Sequence, residues 1–473
     1  MATENQFLRE YVKAIRDGNA AIFAGAGLSR PSGYVTWKEL LRPLAEDIGL
    51  NIDEENDLTA VAQFVRNKAG NRGNINDTII EAFSKEAELN QNIEILTRLP
   101  IYTYWTTNYD RLLEEGLRKA NRKPDTKIFS NQLASTIRDR DAVVYKMHGD
   151  VEHAAEAVLT KDDYAQYDKK HPLFRNVLMG DLVSKTFLFI GFSFEDPNLD
   201  CVLSQIRLLL ADNLRNHYCF MKRIKRHDCA NDEDYGYRKA REELREEDLK
   251  RYGIQTVFVD EYEDITSILS DVETAVLKNN IFISASNSAC DEVWTEERIS
   301  ELGYKLANSL VKEEFRVTSG FGLNFGSSVI NGALDEIYKS KYKHIDEHLC
   351  LRPFPQGIAN ENERKAKWKK YREDILSENG VAVFLFGNRK DDLGNIVVAD
   401  GCIQEFEIAQ QFERIIIPIG STGYAAKNIL NKVKEMPDSF SYLNNYLERL
   451  EHETEIDSIV SMVLEIVKGI RKF

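Results

Sequence analysis

Eleven short apolar runs, each ending in a glycine or polar loop and separated from the next by a helical pattern, constrain this chain more than any other feature. Six fall in the first part (AAIFAG, IYTYWTT, AVVYKMHG, KTFLFIGFSF, HYCFM, TVFV) and five in the second (IFISASN, FRVTSGFG, LCLRPFP, GVAVFLFGN, RIIIPIG). Runs of this length, apolar without strict alternation, are strands buried on both faces, and intervening patterns such as RLLEEGLRKA supply the helices that cross between parallel neighbours. The spacing therefore predicts an α/β protein with two Rossmann-like parallel-sheet domains. The pattern restarts at Asn279 and Asn280, which sets the expected domains at residues 1–278 and 279–473.

The same runs are far shorter than the roughly 18 apolar residues needed to span a bilayer. The opening MATENQFLRE has neither the apolar centre nor the small-residue cleavage site of a secretory leader. Lys and Arg number 62 against 77 Asp and Glu, a net charge of −15, which repels nucleic acid. The expectation is a cytoplasmic protein with no nucleic-acid partner and no membrane partner. Six cysteines without a CxxC pair form neither a disulfide scaffold nor a zinc site, so no metal is assigned. The stretch from Arg223 to Gly253 mixes both signs of charge and reads as a solvated helix laced with ion pairs.

Chemistry-bearing residues gather where strands end. Ala24, Gly25, Ala26, Gly27 and Ser29 follow the first strand, and glycines there let a backbone approach a pyrophosphate whose charge is met by N–H groups. A tight turn without a ligand would use the same glycines. Thr106, Thr107, Asn108 and Asp110 end the next run; taken alone, Asn108 also reads as the N-cap of RLLEEGL. His148 and Gly149 end AVVYKM, and Gly191, Phe192 and Ser193 end TFLFI. Four polar strand ends on one sheet edge make a site, because open α/β sheets bind ligands at the carboxyl ends of their strands.

In order and interval, GAGLS, TTNYD, HG and GFS resemble the motifs of the sirtuin (Sir2) domain over roughly residues 10 to 275. The resemblance implies NAD+ as substrate: Ala24, Gly25, Ala26, Gly27 and Ser29 along the phosphates and adenosine ribose, Asp110 by the nicotinamide amide, and Gly191 and Ser193 on the adenosine side. It implies Asn108 and His148 as the catalytic pair, the amide orienting ribose and water and the imidazole accepting a proton. Those residue types suit cleavage of an N-glycosidic bond through an oxocarbenium-like ribose, which needs a base with a pKa near ~6.5. Sirtuin deacylases carry two CxxC pairs after the histidine; residues 149 to 191 contain no cysteine, and GYVTW replaces the usual D-F-R. Hydrolysis by water is therefore expected ahead of acyl transfer, with a zinc-free deacylase as the alternative enzyme and a catalytically silent nucleotide sensor as the alternative binding protein.

In the second half, Ser319, Gly320, Phe321, Gly322 and Gly326 form another strand-to-helix glycine loop, and Arg352, Arg372 and Arg389 are suited to gripping phosphate. This half resembles the SLOG superfamily of nucleotide-binding Rossmann domains but lacks the G-G-x-G-T-x-x-E signature of its phosphoribohydrolases. With the strings GYVTW, LPIYTYWTTNYDRL and LRPFPQG, the whole chain is similar to the Sir2–SLOG effectors of the Thoeris antiphage defence system. That resemblance implies activation by a cyclic ADP-ribose isomer made by a TIR-domain partner, and a homo-oligomer, expected to be a tetramer. By position the activator would lie around Ala285, Ser286, Phe321, Gly322, Leu323, Arg372, Arg389, Gly401 and Glu405.

Overall fold

The structure, a computed structural model, describes residues 2–471 apart from 193, 195, 196, 211–213, 342, 356 and 392. It divides into two compact units, Met1–Glu273 and Thr274–Phe473. The cut falls earlier than the sequence pattern suggested, inside the helix Asp264–Leu277. The last turn of that helix packs with the second unit: Gly380 donates to the Leu277 carbonyl at 3.0 Å, and a Cβ on Gly380 would meet Leu277 backbone at 2.4 Å.

The first unit is built on a parallel sheet of seven strands: β1 (Ala20–Ala24), β2 (Thr103–Thr106), β3 (Pro124–Lys127), β4 (Ala142–Lys146), β5 (Thr186–Ile190), β6 (His217–Lys222) and β7 (Ile254–Val259), in the order β3-β4-β2-β1-β5-β6-β7. Central β1 and β5 are buried at every position because helices cover both faces, which is why AAIFA and TFLFI carry no alternation. Phe23 and Phe189 stack across the β1–β5 pair with ring centroids 5.4 Å apart. The helix Glu4–Arg16 starts where Thr3 accepts from the Gln6 N–H at 3.2 Å, and its stripe of Phe7, Leu8, Tyr11, Val12 and Ile15 faces inward. Thr36 and Glu39 form a reciprocal cap that opens the helix Trp37–Asp47. The mixed-charge stretch folds as the helix Asp232–Arg251, in which only Glu242 and Leu249 are buried.

Strand β3, PDTK, carries no apolar signal and escapes a reading by pattern. It lies at the sheet edge, starts with proline, and buries Asp125 and Lys127 as an ion pair at 2.7 Å rather than as an apolar face.

The second unit has a parallel five-stranded sheet of β8 (Asn280–Ser286), β9 (Arg316–Ser319), β10 (Leu349–Leu351), β11 (Val381–Phe386) and β14 (Ile415–Ile419), ordered β10-β9-β8-β11-β14. Between β11 and β14 lies an antiparallel hairpin of β12 (Asn388–Lys390) and β13 (Ile396–Val398), which the sequence pattern did not separate from loop. Strand order reverses between β8 and β11, where doubly wound sheets open a crevice. No helix among the described residues is long and apolar enough to cross a membrane.

Candidate active site and nucleotide cavity

Register brings the first constellation together. Ala24 pairs with both Thr106 and Ile190, and Thr106 pairs with Lys146, so one row crosses the four adjacent strands β4-β2-β1-β5. Gly25, Asn108, His148 and Gly191 each lie one or two residues past that row, at the carboxyl edge. The Thr106 hydroxyl donates to the Ala24 carbonyl at 3.0 Å and accepts from the Asn108 N–H at 3.0 Å. The Asn108 amide in turn donates to the Gly25 carbonyl and to Ser29 Oγ, both at 3.0 Å. Asn108 is therefore bound into the glycine loop and is not a helix cap. The turn into the helix Leu112–Lys119 is held by Asp110, whose Oδ1 accepts from the Leu112 N–H at 3.1 Å.

The glycines have a packing reason of their own. Gly25 and Gly27 donate to the Ile190 and Gly191 carbonyls at 2.9 Å, and a Cβ on Gly25 would lie 2.3 Å from the Gly191 oxygen. A Cβ on Gly191, which sits at φ +63°, would lie 2.1 Å from the Leu28 nitrogen. Ser193 lies outside the described residues. Ser29, Asp110 and His148 are buried; Asp110 Oδ2 accepts no hydrogen bond among the described residues. The His148 ring meets Tyr164 edge-on with centroids 5.5 Å apart and Tyr167 at 6.4 Å, both on the helix Lys161–Lys170. That helix occupies the segment where a deacylase holds its zinc module. Its tyrosines carry no motif that sequence reading could single out.

In the second unit all nine residues expected around an activator line one cavity of about 1100 Å³. Arg372 is buried, with its Nε 3.5 Å from Glu405 Oε1 and its guanidinium 5.0 Å above the Phe354 ring and 5.9 Å from that of Trp368. Ser284 donates to the other Glu405 oxygen at 2.5 Å. Burial pushes the Glu405 carboxyl up against the opposing pull of Ser284 and Arg372. Gly322 and Gly401 are fixed by closeness: a Cβ on the first would strike the Ala285 oxygen at 1.6 Å, and on the second would come within 2.8 Å of the Arg372 guanidinium. Arg389 is exposed and donates to Asp400 at 3.0 Å. Arg352 is used elsewhere, paired with Glu378 at 2.6 Å.

Apart from Arg372, sequence reading missed the wall of this cavity formed by the helix Glu361–Ser377. Arg364, Lys365, Trp368, Lys369 and Arg372 recur at helical spacing and line the cavity together. The signal was present as a cationic stripe, hidden by acidic residues on the rest of the helix and by the acidic balance of the chain. The lining sets these cations and the Phe354 and Trp368 rings beside the Glu361, Asp400, Glu405 and Glu407 carboxyls.

Two parallel-sheet units, one with a sirtuin-type edge and one with a cavity at its strand ends, define a sirtuin-like protein with an appended SLOG domain. Residues 102–246 match the SIR2-like domain family, and residues 264–470 match the Sir2- and TIR-associating SLOG family. The chain belongs to the family of ThsA NAD(+) hydrolases. It is 44% identical to NAD(+) hydrolase ThsA of Bacillus cereus (strain MSX-D12) over 98% of this chain and 97% of that protein. Identity to NAD(+) hydrolase ThsA of Cytobacillus dafuensis is 45% over 91% and 88% of the two chains, and to that of Enterococcus faecium 41% over 98% of each.

Proposed function

We propose that the first unit hydrolyses NAD+ to nicotinamide and ADP-ribose, and that the second gates this reaction by binding a cyclic ADP-ribose isomer. The observation that carries the first half is the register row that sets the glycine loop, Asn108, His148 and Gly191 on one sheet edge. Gly25 to Ser29 and Gly191 receive the phosphates and adenosine side, and Asp110 receives the nicotinamide amide. As the bond between ribose C1′ and the nicotinamide nitrogen breaks, the bonding pair leaves with nicotinamide and C1′ gains oxocarbenium character. Asn108 orients the ribose and a water; the water oxygen bonds to C1′ while His148 takes its proton. The helical segment after His148, in place of a zinc module, supports water as acceptor over an acyl-lysine.

The second half is supported by the cation-walled cavity and by the name of the family matched there, Sir2- and TIR-associating, which points to a TIR-domain protein as maker of the activator. On this reading the protein is a cytoplasmic homo-oligomer, a tetramer, that depletes NAD+ in antiphage defence. A ligand shifts an inactive-to-active equilibrium only by its differential affinity, so hundredfold activation needs about 2.7 kcal/mol of preference for the active state. Arg372, preset by Glu405 and Phe354, supplies part of it. The test is nicotinamide release with and without the cyclic nucleotide: Arg372→Ala is expected to abolish activation and ligand-induced thermal stabilisation while leaving basal turnover in place. Undiminished activation in that variant would refute the assignment.

A further inference from the structure

Beneath the strand ends lies a buried ion cluster that the reaction above does not use. Lys146, the last residue of β4, is fully buried two positions before His148. Its Nζ donates to the Tyr109 carbonyl at 3.2 Å, to the Asp110 carbonyl, and to Asp150 Oδ2 at 2.6 Å, and lies 3.6 Å from Glu114 Oε1. The three N–H groups of an ammonium thus meet three acceptors, the condition under which a buried cation is tolerated. Burial opposes the charge, but the Glu114, Asp150 and Asp110 carboxylates outweigh it and hold Lys146 protonated above its ordinary range.

The acceptors belong to two different loops. Tyr109 and Asp110 lie after β2, in the loop that carries Asn108, whereas Asp150 lies after β4, in the loop that carries His148. Arg111 of the first loop donates to Asp150 at 3.3 Å, and the Val151 N–H donates to the Tyr109 carbonyl at 3.0 Å. One ammonium therefore ties both loops to the end of a single strand, where side-chain packing alone would have been served by an apolar residue.

We propose that Lys146 is a positioning residue for NAD+ hydrolysis, fixing the loop of Asn108 and Asp110 against the loop of His148 so that amide and imidazole keep one relative geometry. The inference rests on the roles given above to Asn108 and His148. Displacement of reacting groups by an ångström costs turnover far more than it costs ground-state binding, much of which comes from the glycine loop.

The experiment compares full-length wild type with Lys146→Met, Asp150→Asn and the paired Lys146→Met/Asp150→Asn, following thermal unfolding and the kcat and KM of nicotinamide release. Lys146→Met alone leaves Asp150 with Arg111 as its cation and the buried Glu114 with none, and is expected to melt early. The paired variant removes both charges of the Lys146–Asp150 pair and leaves Glu114, whose pKa burial already raises, to take up a proton; like the isosteric Asp150→Asn, it is expected to unfold cooperatively. In the paired variant kcat is expected to fall about 30-fold and KM to stay within about threefold; Asp150→Asn, which keeps one acceptor oxygen for the two donors Asp150 serves, Nζ and the Glu152 N–H, loses about fivefold in kcat. Wild-type kcat in either folded variant, or a loss confined to KM, overturns the positioning role while the reading of Asn108 and His148 stands. Wild type that releases no nicotinamide under any condition overturns both.

Discussion

Asn108 commits both amide protons to the protein, one to the Gly25 carbonyl and one to Ser29 Oγ, which leaves Oδ1 to accept from a ribose hydroxyl or a water. Preorganisation of this kind makes the side chain expensive to replace, because water in its stead holds no fixed orientation. Asn108→Ala and His148→Ala are each expected to lower turnover about 10²-fold or more. Circular dichroism should be unchanged, since neither side chain fills the apolar core; near-full activity in a folded His148→Ala would return that histidine to a structural role. At this scale the gathering of these residues on one sheet edge was readable, because the glycine, asparagine and histidine each end a buried apolar run. Lys146 and Asp150 were not readable: a lysine closing an apolar strand looks like solvent-facing punctuation until the fold folds a second loop over it. Tyr164 and Tyr167 were hidden for the same reason, their partner being a histidine from another strand.

Elements were legible where burial on both faces wrote an unbroken apolar run, as in AAIFA and VAVFLF, and illegible where polar pairs did the same work, as in the edge strand PDTK. Strand β6 adds a titratable group to the sheet. His217 is buried, and its Nδ1 accepts from the Phe187 N–H of β5 at 3.2 Å, so the neutral ring is the one the sheet accommodates. Burial first, and then Arg215, lower its pKa to about 3. In the unfolded chain the ring takes up a proton near pH ~6.5, so between the two values the unfolded state binds more protons and stability rises with pH. His217 thus contributes stability that is complete above about pH 6.5 and drains as pH falls toward 3, amounting to a loss of roughly 2 kcal/mol by pH 5. Melting curves of wild type and His217→Gln from pH 7.5 to 5 are expected to converge toward acid, the variant lacking this part of the slope. Parallel curves would show that His217 is not the group responsible.

The whole molecule joins two units of one architectural type whose strand ends carry different residues. In the first, a glycine loop, an amide and an imidazole share one sheet edge; in the second, the cavity brings cations and rings together with the Ser284–Glu405 hydrogen bond. That division was legible in the sequence, because one half carries polar strand ends and the other glycines and arginines. Assembly belongs to the same scale: light scattering is expected to report a tetramer, the usual product of repeated two-fold packing, and a monomer at every concentration would remove that expectation. The most direct measurement of the central claim is a time course of nicotinamide and ADP-ribose formed from NAD+ by the full chain with the cyclic ADP-ribose isomer present and no acylated peptide. Both products are expected to accumulate in equal amounts over many turnovers, and Asn108→Ala is expected to slow them about 10²-fold or more. Product that forms only when an acyl-lysine peptide is added, or that survives the Asn108 substitution undiminished, would contradict the account.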